Sequence, residues 1–265
     1  MTVGKANVRC VTDEEVETFF ENGWVKLPRL IDGASAALLL ERAKSVFGED
    51  GRKGLDRTAL TENWQQWFRS HFGADQLGDD VESMAHSSVL GENVARLYGR
   101  DSPIRLLLNN FQVKLPQDSG VGEATQFHQD TPGFQYLEGA VISVWVALDE
   151  VTQDMGGLQF RTGSHKLGSL GTMQGWQSRL NAFPLSAPMV LEPGDATAHI
   201  EYMYHGTGPN KTHRPRWSWT AIIGPGDARY TGAKSPYADH LGIQPGAVFD
   251  HPSVPLIYTP AHATC

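Results

Sequence analysis

"LLLNNFQVKLP" (residues 106–116) decides how the rest of the chain is read. Successive side chains of a strand point to opposite faces. Asn110, Gln112 and Lys114 therefore share one face, and Phe111, Val113 and Leu115 take the other. The period of two recurs downstream. In "AVISVWVALDE" (140–150) Ser143, Trp145 and Ala147 alternate with Ile142, Val144, Val146 and Leu148. In "APMVLEPGDATAHIEYMYH" (187–205) Glu201, Met203 and His205 line up, and in "RPRWSWTAII" (214–223) Arg216, Ser218 and Thr220 do so, with Trp217 and Trp219 reading as core. These runs, with "GGLQFRTGSH" (156–165), are short, β-branched and aromatic, and separated by Gly, Pro, Asn and Asp. That is the pattern of a barrel or jelly roll. A polar stripe beside an apolar one is ordinarily a solvent face over a core face. Here the polar stripe carries His, Trp and Met, which suits a lumen that holds a small polar ligand.

Upstream of residue 100 the period lengthens. "TDEEVETFFENG" (12–23) predicts a helix opened by a capping box between Thr12 and Glu15 and closed by Gly23, followed by an extended "WVKLPRLI". The runs 34–48, 58–73 and 87–99 carry apolar residues at helical spacing, the last closed by Gly99. No linker or repeat divides the chain. The expectation is one domain, 1–265, mainly β with flanking α-helices, in which a largely helical portion (1–100) packs on a jelly-roll core (103–265).

A net charge of −8 and a pI near 5.6 disfavour a nucleic-acid or anionic-membrane partner. No apolar run is long enough to span a bilayer. Cys10 and Cys265, one near each terminus, give no disulfide framework; of a disulfide tying the ends and free thiols without a role, the second is favoured, in a soluble protein of a reducing cytoplasm.

Candidate chemistry sits in "QFHQDTPGF" (126–134), where His128 and Asp130 bring an imidazole and a carboxylate within reach of one point. Two ligands hold a metal poorly, and a histidine pair with one carboxylate, leaving open positions opposite, suits an Fe(II) oxygenase. Alone, H-x-D is a common coincidence.

"HQD" (128–130), "VWVALDEVTQDMGGLQFRTGSH" (144–165), "EPGDATAHIEYMYH" (192–205) and "YMYHGTGPNKTHRPRWSW" (202–219), after the opening "FFENGWVKLP" (19–28), together resemble the phytanoyl-CoA dioxygenase family of Fe(II)- and 2-oxoglutarate-dependent oxygenases. The blocks occur in the family's order and cover most of the chain. The resemblance implies a double-stranded β-helix of the jelly-roll, cupin-like kind. It implies His128, Asp130 and His205 as iron ligands and Arg216 as the grip on the distal carboxylate of 2-oxoglutarate, a match for the bidentate guanidinium fork; His205 is expected to close one strand and Arg216, after the turn 206–215, to open the neighbouring one. Thr207, Gln112 and Trp145 match positions where relatives touch the co-substrate. Lys114 and Asn110 read as polar residues at the barrel mouth. His199, at even spacing from His205, competes for the third ligand. His165 and the Gly156–Gly157 pair read as structural turns.

By that resemblance the chain uses Fe(II), 2-oxoglutarate and O2, releasing succinate and CO2 while a C–H bond of a small organic substrate is oxidised. The carboxylate of Asp130 favours hydroxylation, because halogenating relatives lack it. Two alternatives keep the barrel: a cupin-like metal enzyme that does not use 2-oxoglutarate, and a non-catalytic small-ligand binding barrel.

Overall fold

In the computed structural model, which describes residues 7–56, 63–171, 177–262 and 264–265, the alternating runs become strands of two facing antiparallel sheets. The strands are β1 (Trp24–Leu27), β2 (Arg69–Phe72), β3 (Ile104–Lys114), β4 (Thr125–His128), β5 (Ile142–Ala147), β6 (Leu158–Phe160), β7 (Ala196–Ile200), β8 (His205–Thr207), β9 (Arg216–Pro225) and β10 (Leu256–Tyr258). The larger sheet runs β1-β7-β5-β9-β3-β10, with β2 also on β3; the smaller runs β4-β8-β6. The two sheets form the expected jelly roll.

Helices cover the outer face of the larger sheet. They are α1 (Asp13–Asn22), α2 (Gly33–Phe47), α3 (Asp79–Ala85) and α4 (Ser88–Tyr98); two single-turn helices, α5 (Thr131–Phe134) and α6 (Gln177–Leu180), lie in later loops. The capping box of α1 forms as read, with Thr12 accepting from the Glu15 amide and Glu15 accepting from the Thr12 amide. Gly23 ends it at φ 80°, a left-handed conformation that costs glycine little.

Both faces of the larger sheet are buried, which explains its unusual alternation. Phe111, Val113, Val144, Val146, Trp217 and Trp219 point outward into a core shared with Leu39 and Phe47 of α2 and Val94 of α4. At roughly 1.5–3 kcal/mol per fully buried large apolar side chain, this layer is the main adhesive between helices and sheet. The opposite set, including Asn110, Gln112, Trp145, Arg216 and Thr220, faces the smaller sheet and lines the cavities between the two.

The structure corrects four expectations. The 58–73 run is not one helix: a 3-10 turn at Asn63–Gln66 leads into β2, and 58–62 lie outside the described residues. β2 pairs with β3 at Asn110–Val113, so tertiary pairing overrides helical spacing there. Glu201, Met203 and His205 do not share one strand, because β7 ends at Ile200 and the chain turns before His205 opens β8 in the other sheet. The strand of Arg216 is therefore across the lumen from that of His205, not beside it. Finally, Cys10 and Cys265 are not free thiols but a disulfide, with Cα atoms 5.7 Å apart. Their approach is set by α4: Asn93 bonds the backbone of Arg9 and Val11, while Glu92 accepts from the amides of Thr264 and Cys265. No spacing rule in the sequence announces that meeting. Among the described residues no helix is long and apolar enough to cross a membrane.

Candidate metal and co-substrate site

His128 ends β4 and His205 opens β8, and the two are register partners in the smaller sheet. Directly opposed side chains of antiparallel strands meet on one face, and the imidazole centroids lie 4.5 Å apart. Asp130, two residues on, leaves the strand and precedes α5; its amide donates to the Glu201 carbonyl at 3.0 Å, which turns the carboxylate back toward the imidazoles. One ligand atom from each of His128, Asp130 and His205 falls within 4.8 Å of the others.

Hydrogen bonds fix what each atom presents. His128 Nδ1 donates to the Gln126 carbonyl at 2.8 Å and His205 Nδ1 to that of Met203 at 2.9 Å, so both Nε2 lone pairs face the common point. The Asp130 oxygens divide their duties. Oδ2 accepts from Ser143 Oγ at 3.0 Å and lies 3.3 Å from His199 Nε2. Oδ1 faces His128 Nε2 at 3.4 Å and His205 Nε2 at 3.7 Å. Ser143 and His199 are register partners in the larger sheet, so this one carboxylate ties the two sheets together. His199 serves the carboxylate from behind and does not belong to the set of three that converge.

Electrostatics fit a cation. Burial holds the His205 pKa down to about 3, helped by His199, so its lone pair stays available. Burial opposes protonation of His128 as well, but the hydrogen bond and charge of Asp130 outweigh it and raise its pKa. Burial would raise Asp130, yet the three surrounding imidazoles, His205 foremost, bring it well below the ordinary carboxylate range. Two neutral imidazoles and a carboxylate on one side of a point, with a cavity on the other, suit Fe(II).

That cavity, about 140 Å³, extends from the triad to Arg216 and is also walled by Gln112, Thr125, Trp145 and Thr207. Arg216 is 2 % exposed. One of its amino groups donates to the Gly156 carbonyl, its guanidinium carbon sits 5.1 Å from the Trp145 ring centre, and its Nε has no partner. Burial lowers its pKa only to about 10, so it is a cation. A buried charge without a counter-ion costs several kcal/mol; a carboxylate entering this cavity would remove that cost. Around it, Thr197 Oγ1, His199 Nδ1, Ser218 Oγ and Thr220 Oγ1 are also buried without partners, all on the inner faces of β7 and β9. Orphans in such number mark a place made for a polar ligand.

The residues singled out in the sequence thus occupy one place. His128, Asp130 and His205 converge, and Arg216, Thr207, Gln112 and Trp145 line the adjoining cavity. Lys114 differs from its expectation. It is fully buried, not at a mouth, and Nζ donates to the Glu123 carbonyl at 2.5 Å and to Thr207 Oγ1 at 2.9 Å. Thr207 Oγ1 also receives the Thr125 amide at 3.4 Å, and Thr207 lines the cavity. Ser164 accepts from the Tyr204 amide, and Gly163 turns at φ 86°, as a structural "TGSH" requires. Sequence reading missed the roles of Ser143, His199 and Lys114. Their inward direction was visible in the alternation; the register that aims them was not.

A second cavity, about 700 Å³, shares Gln112, Thr125, His128, Asp130 and Thr220 with the first and opens beyond them. Its outer walls include Trp67, Phe72, Phe134 and Tyr237.

Comparison with known proteins agrees with this geometry. The profile of the family described as phytanoyl-CoA dioxygenase (PhyH) matches residues 15–218. The dioxygenase lolE1 of Epichloe uncinata is 26% identical over 240 residues, covering 82% of this chain and 84% of its own. The methylphosphonate hydroxylase of Gimesia maris is 25% identical over 211 residues, 78% of each chain. Among solved structures, the non-heme alpha ketoglutarate dependent epimerase SnoN from nogalamycin biosynthesis superposes with a TM-score of 0.78 at 22% identity, covering 92% of this chain and 95% of its own. That last likeness is one of fold.

Proposed function

Because this chain belongs to the phytanoyl-CoA dioxygenase family, and is therefore an oxygenase dependent on Fe(II), 2-oxoglutarate and O2, we propose that His128, Asp130 and His205 hold its iron, that Arg216 and Thr207 hold its 2-oxoglutarate, and that it hydroxylates a small organic molecule. The observation that carries this reading is the single cavity with a facial triad at one end and a buried guanidinium lacking a counter-ion at the other.

The protein's own residues account for binding and orientation. Arg216 and the Thr207 hydroxyl supply a charged and a neutral donor for the distal carboxylate. Trp145 backs the guanidinium and keeps water from it. Gln112 stands where the two cavities join, within reach of either occupant. When bound, the metal supplies the activation of dioxygen that lets an unreactive C–H bond be oxidised while 2-oxoglutarate is decarboxylated to succinate and CO2. A carboxylate at position 130, which halogenating relatives lack, supports hydroxylation. The chain acts in this reading as one domain, 1–265, and a cytoplasmic location rests on the supply of a central-metabolic 2-oxoacid, since the paired cysteines no longer argue for it.

Incubation of the protein with Fe(II), ascorbate, 2-oxoglutarate and O2, with succinate measured, tests the reading. Slow succinate release without any prime substrate is expected, with loss of it in Arg216→Ala. No succinate and no binding of 2-oxoglutarate in the presence of the metal would end it.

A further inference from the structure

The larger cavity is built for a particular kind of molecule. It meets the triad at His128 and Asp130, so whatever fills it is presented to the metal side of the site. Its volume of about 700 Å³ falls in the range of pockets that enclose a drug-sized ligand.

Its outer wall is a run of rings. Trp67 lies 6.1 Å from the His128 imidazole, Phe72 lies 6.2 Å from Tyr237, and Phe134 lies 6.4 Å from Tyr237 with the two planes 11° apart. The floor opposite is polar but uncharged: Asn110 and Gln112 project from β3, and Thr220 stands across the ladder from Asn110 on β9. Asn110 gives its amide to Ser70, whereas the Thr220 hydroxyl is buried with no partner in the protein. A hydroxyl left in that state costs about 1–3 kcal/mol unless a ligand satisfies it.

Charge decides the rest. Among the described residues the cavity lining contains no lysine or arginine, and its one carboxylate, Asp130, is committed to Ser143, His199 and the imidazoles. A phosphate, phosphonate or carboxylate seated here would lose its water and gain no counter-charge. A cation would find rings but no free carboxylate.

We propose that the prime substrate is a neutral, largely apolar ring compound whose carbonyl or hydroxyl group bonds Thr220 and the floor amides, and that acyl-CoAs and phosphonates are not substrates. This rests on the reading of the adjoining site given above. It separates the chain from the phosphonate chemistry of one relative and from the thioester chemistry in its family's name.

Three tricyclic probes of graded charge test it: 9-fluorenone, its 4-carboxylate and the cation proflavine, together with fluorene, methylphosphonate and acetyl-CoA. Binding to the protein loaded with Fe(II) and 2-oxoglutarate under argon is followed by calorimetry. 9-Fluorenone is expected to bind at least about tenfold more tightly than either charged tricycle, methylphosphonate or acetyl-CoA. Thr220→Val, which keeps the shape, is expected to weaken 9-fluorenone by roughly three- to tenfold and to leave fluorene, which lacks the carbonyl, unchanged. Equal or tighter binding of any charged probe, or equal losses for fluorenone and fluorene, overturns the proposal. If succinate still forms without prime substrate while the neutral probe fails to bind, this inference alone fails. If 2-oxoglutarate does not bind either, the reading of the adjoining site fails first.

Discussion

Lys114 and Arg216 are register partners across the β3–β9 ladder, two buried basic side chains set side by side. Burial first, and Arg216 second, bring the Lys114 pKa down to about 6, with Glu123 opposing. Near pH 8 the lysine of the co-substrate-free protein is therefore neutral. A dicarboxylate arriving one hydroxyl away, beyond Thr207, favours the charged form and raises that pKa. Binding of 2-oxoglutarate near pH 8 should then take up close to one proton, and affinity should fall as pH rises further. Calorimetry in two buffers of different ionisation enthalpy measures this. Lys114→Met should abolish the uptake; an unchanged uptake would assign the proton to another group.

Arg216 sets a second expectation. In the proposed site its removal would take away a charge-assisted pair worth roughly 1.5–3 kcal/mol, or about ten- to hundredfold in affinity. Arg216→Ala should raise the KM for 2-oxoglutarate by that factor and change the KM for the prime substrate far less. Gly156→Ala should act in the same direction, because Gly156 sits at φ 69°, its carbonyl anchors Arg216, and an added Cβ would lie 2.4 Å from the Gly208 carbonyl oxygen. Equal effects on both substrates would argue that Arg216 does not hold the co-substrate.

The proposed metal ligands and their supports should separate by magnitude. Asp130→Gly would remove one of the proposed ligands and should abolish the proposed hydroxylation. Ser143→Ala or His199→Phe loosens the other oxygen of the same carboxylate and should lower metal affinity by about 10–100-fold. Anaerobic titration with Co(II), followed by its visible absorption, reports this without turnover. Because Nε2 must be unprotonated to bind and the His128 pKa is raised, affinity should begin to fall, as pH is lowered, above the ordinary histidine range. A flat profile through that range would place the metal elsewhere.

The disulfide should contribute stability rather than activity, since neither cysteine lines either of the two cavities of the candidate site. Closing a loop of this length is worth up to about 5 kcal/mol by chain entropy. Glu92 and Asn93 hold the same segments by hydrogen bonds, so about 2–4 kcal/mol is expected on Cys10→Ser. Urea unfolding with and without reductant provides the measurement, and unchanged midpoints would show the bond to be dispensable.

Much of this was legible in residue order. The alternation in 106–116 and 214–223 separated Phe111 and Trp217 from Gln112 and Arg216, because a period of two is a local property of a strand. The triad followed from "HQD" and "HGTG" only through family resemblance, since nothing local brings residues 128 and 205 to one ladder. Register between distant strands stayed hidden for the same reason. It is register that turns Ser143 and His199 toward one oxygen and sets Lys114 beside Arg216. The Arg69–Phe72 segment was misread because its partner strand, not its own spacing, made it extended.

The bond between Cys10 and Cys265 closes the backbone between those two residues into a covalent ring. A single nick at any peptide between those residues would release no fragment: the two pieces would migrate as one on a gel without reductant and part only when thiol is added. Local damage to a surface loop would then be survivable, because the strands on either side of the break remain tethered and free to re-pair.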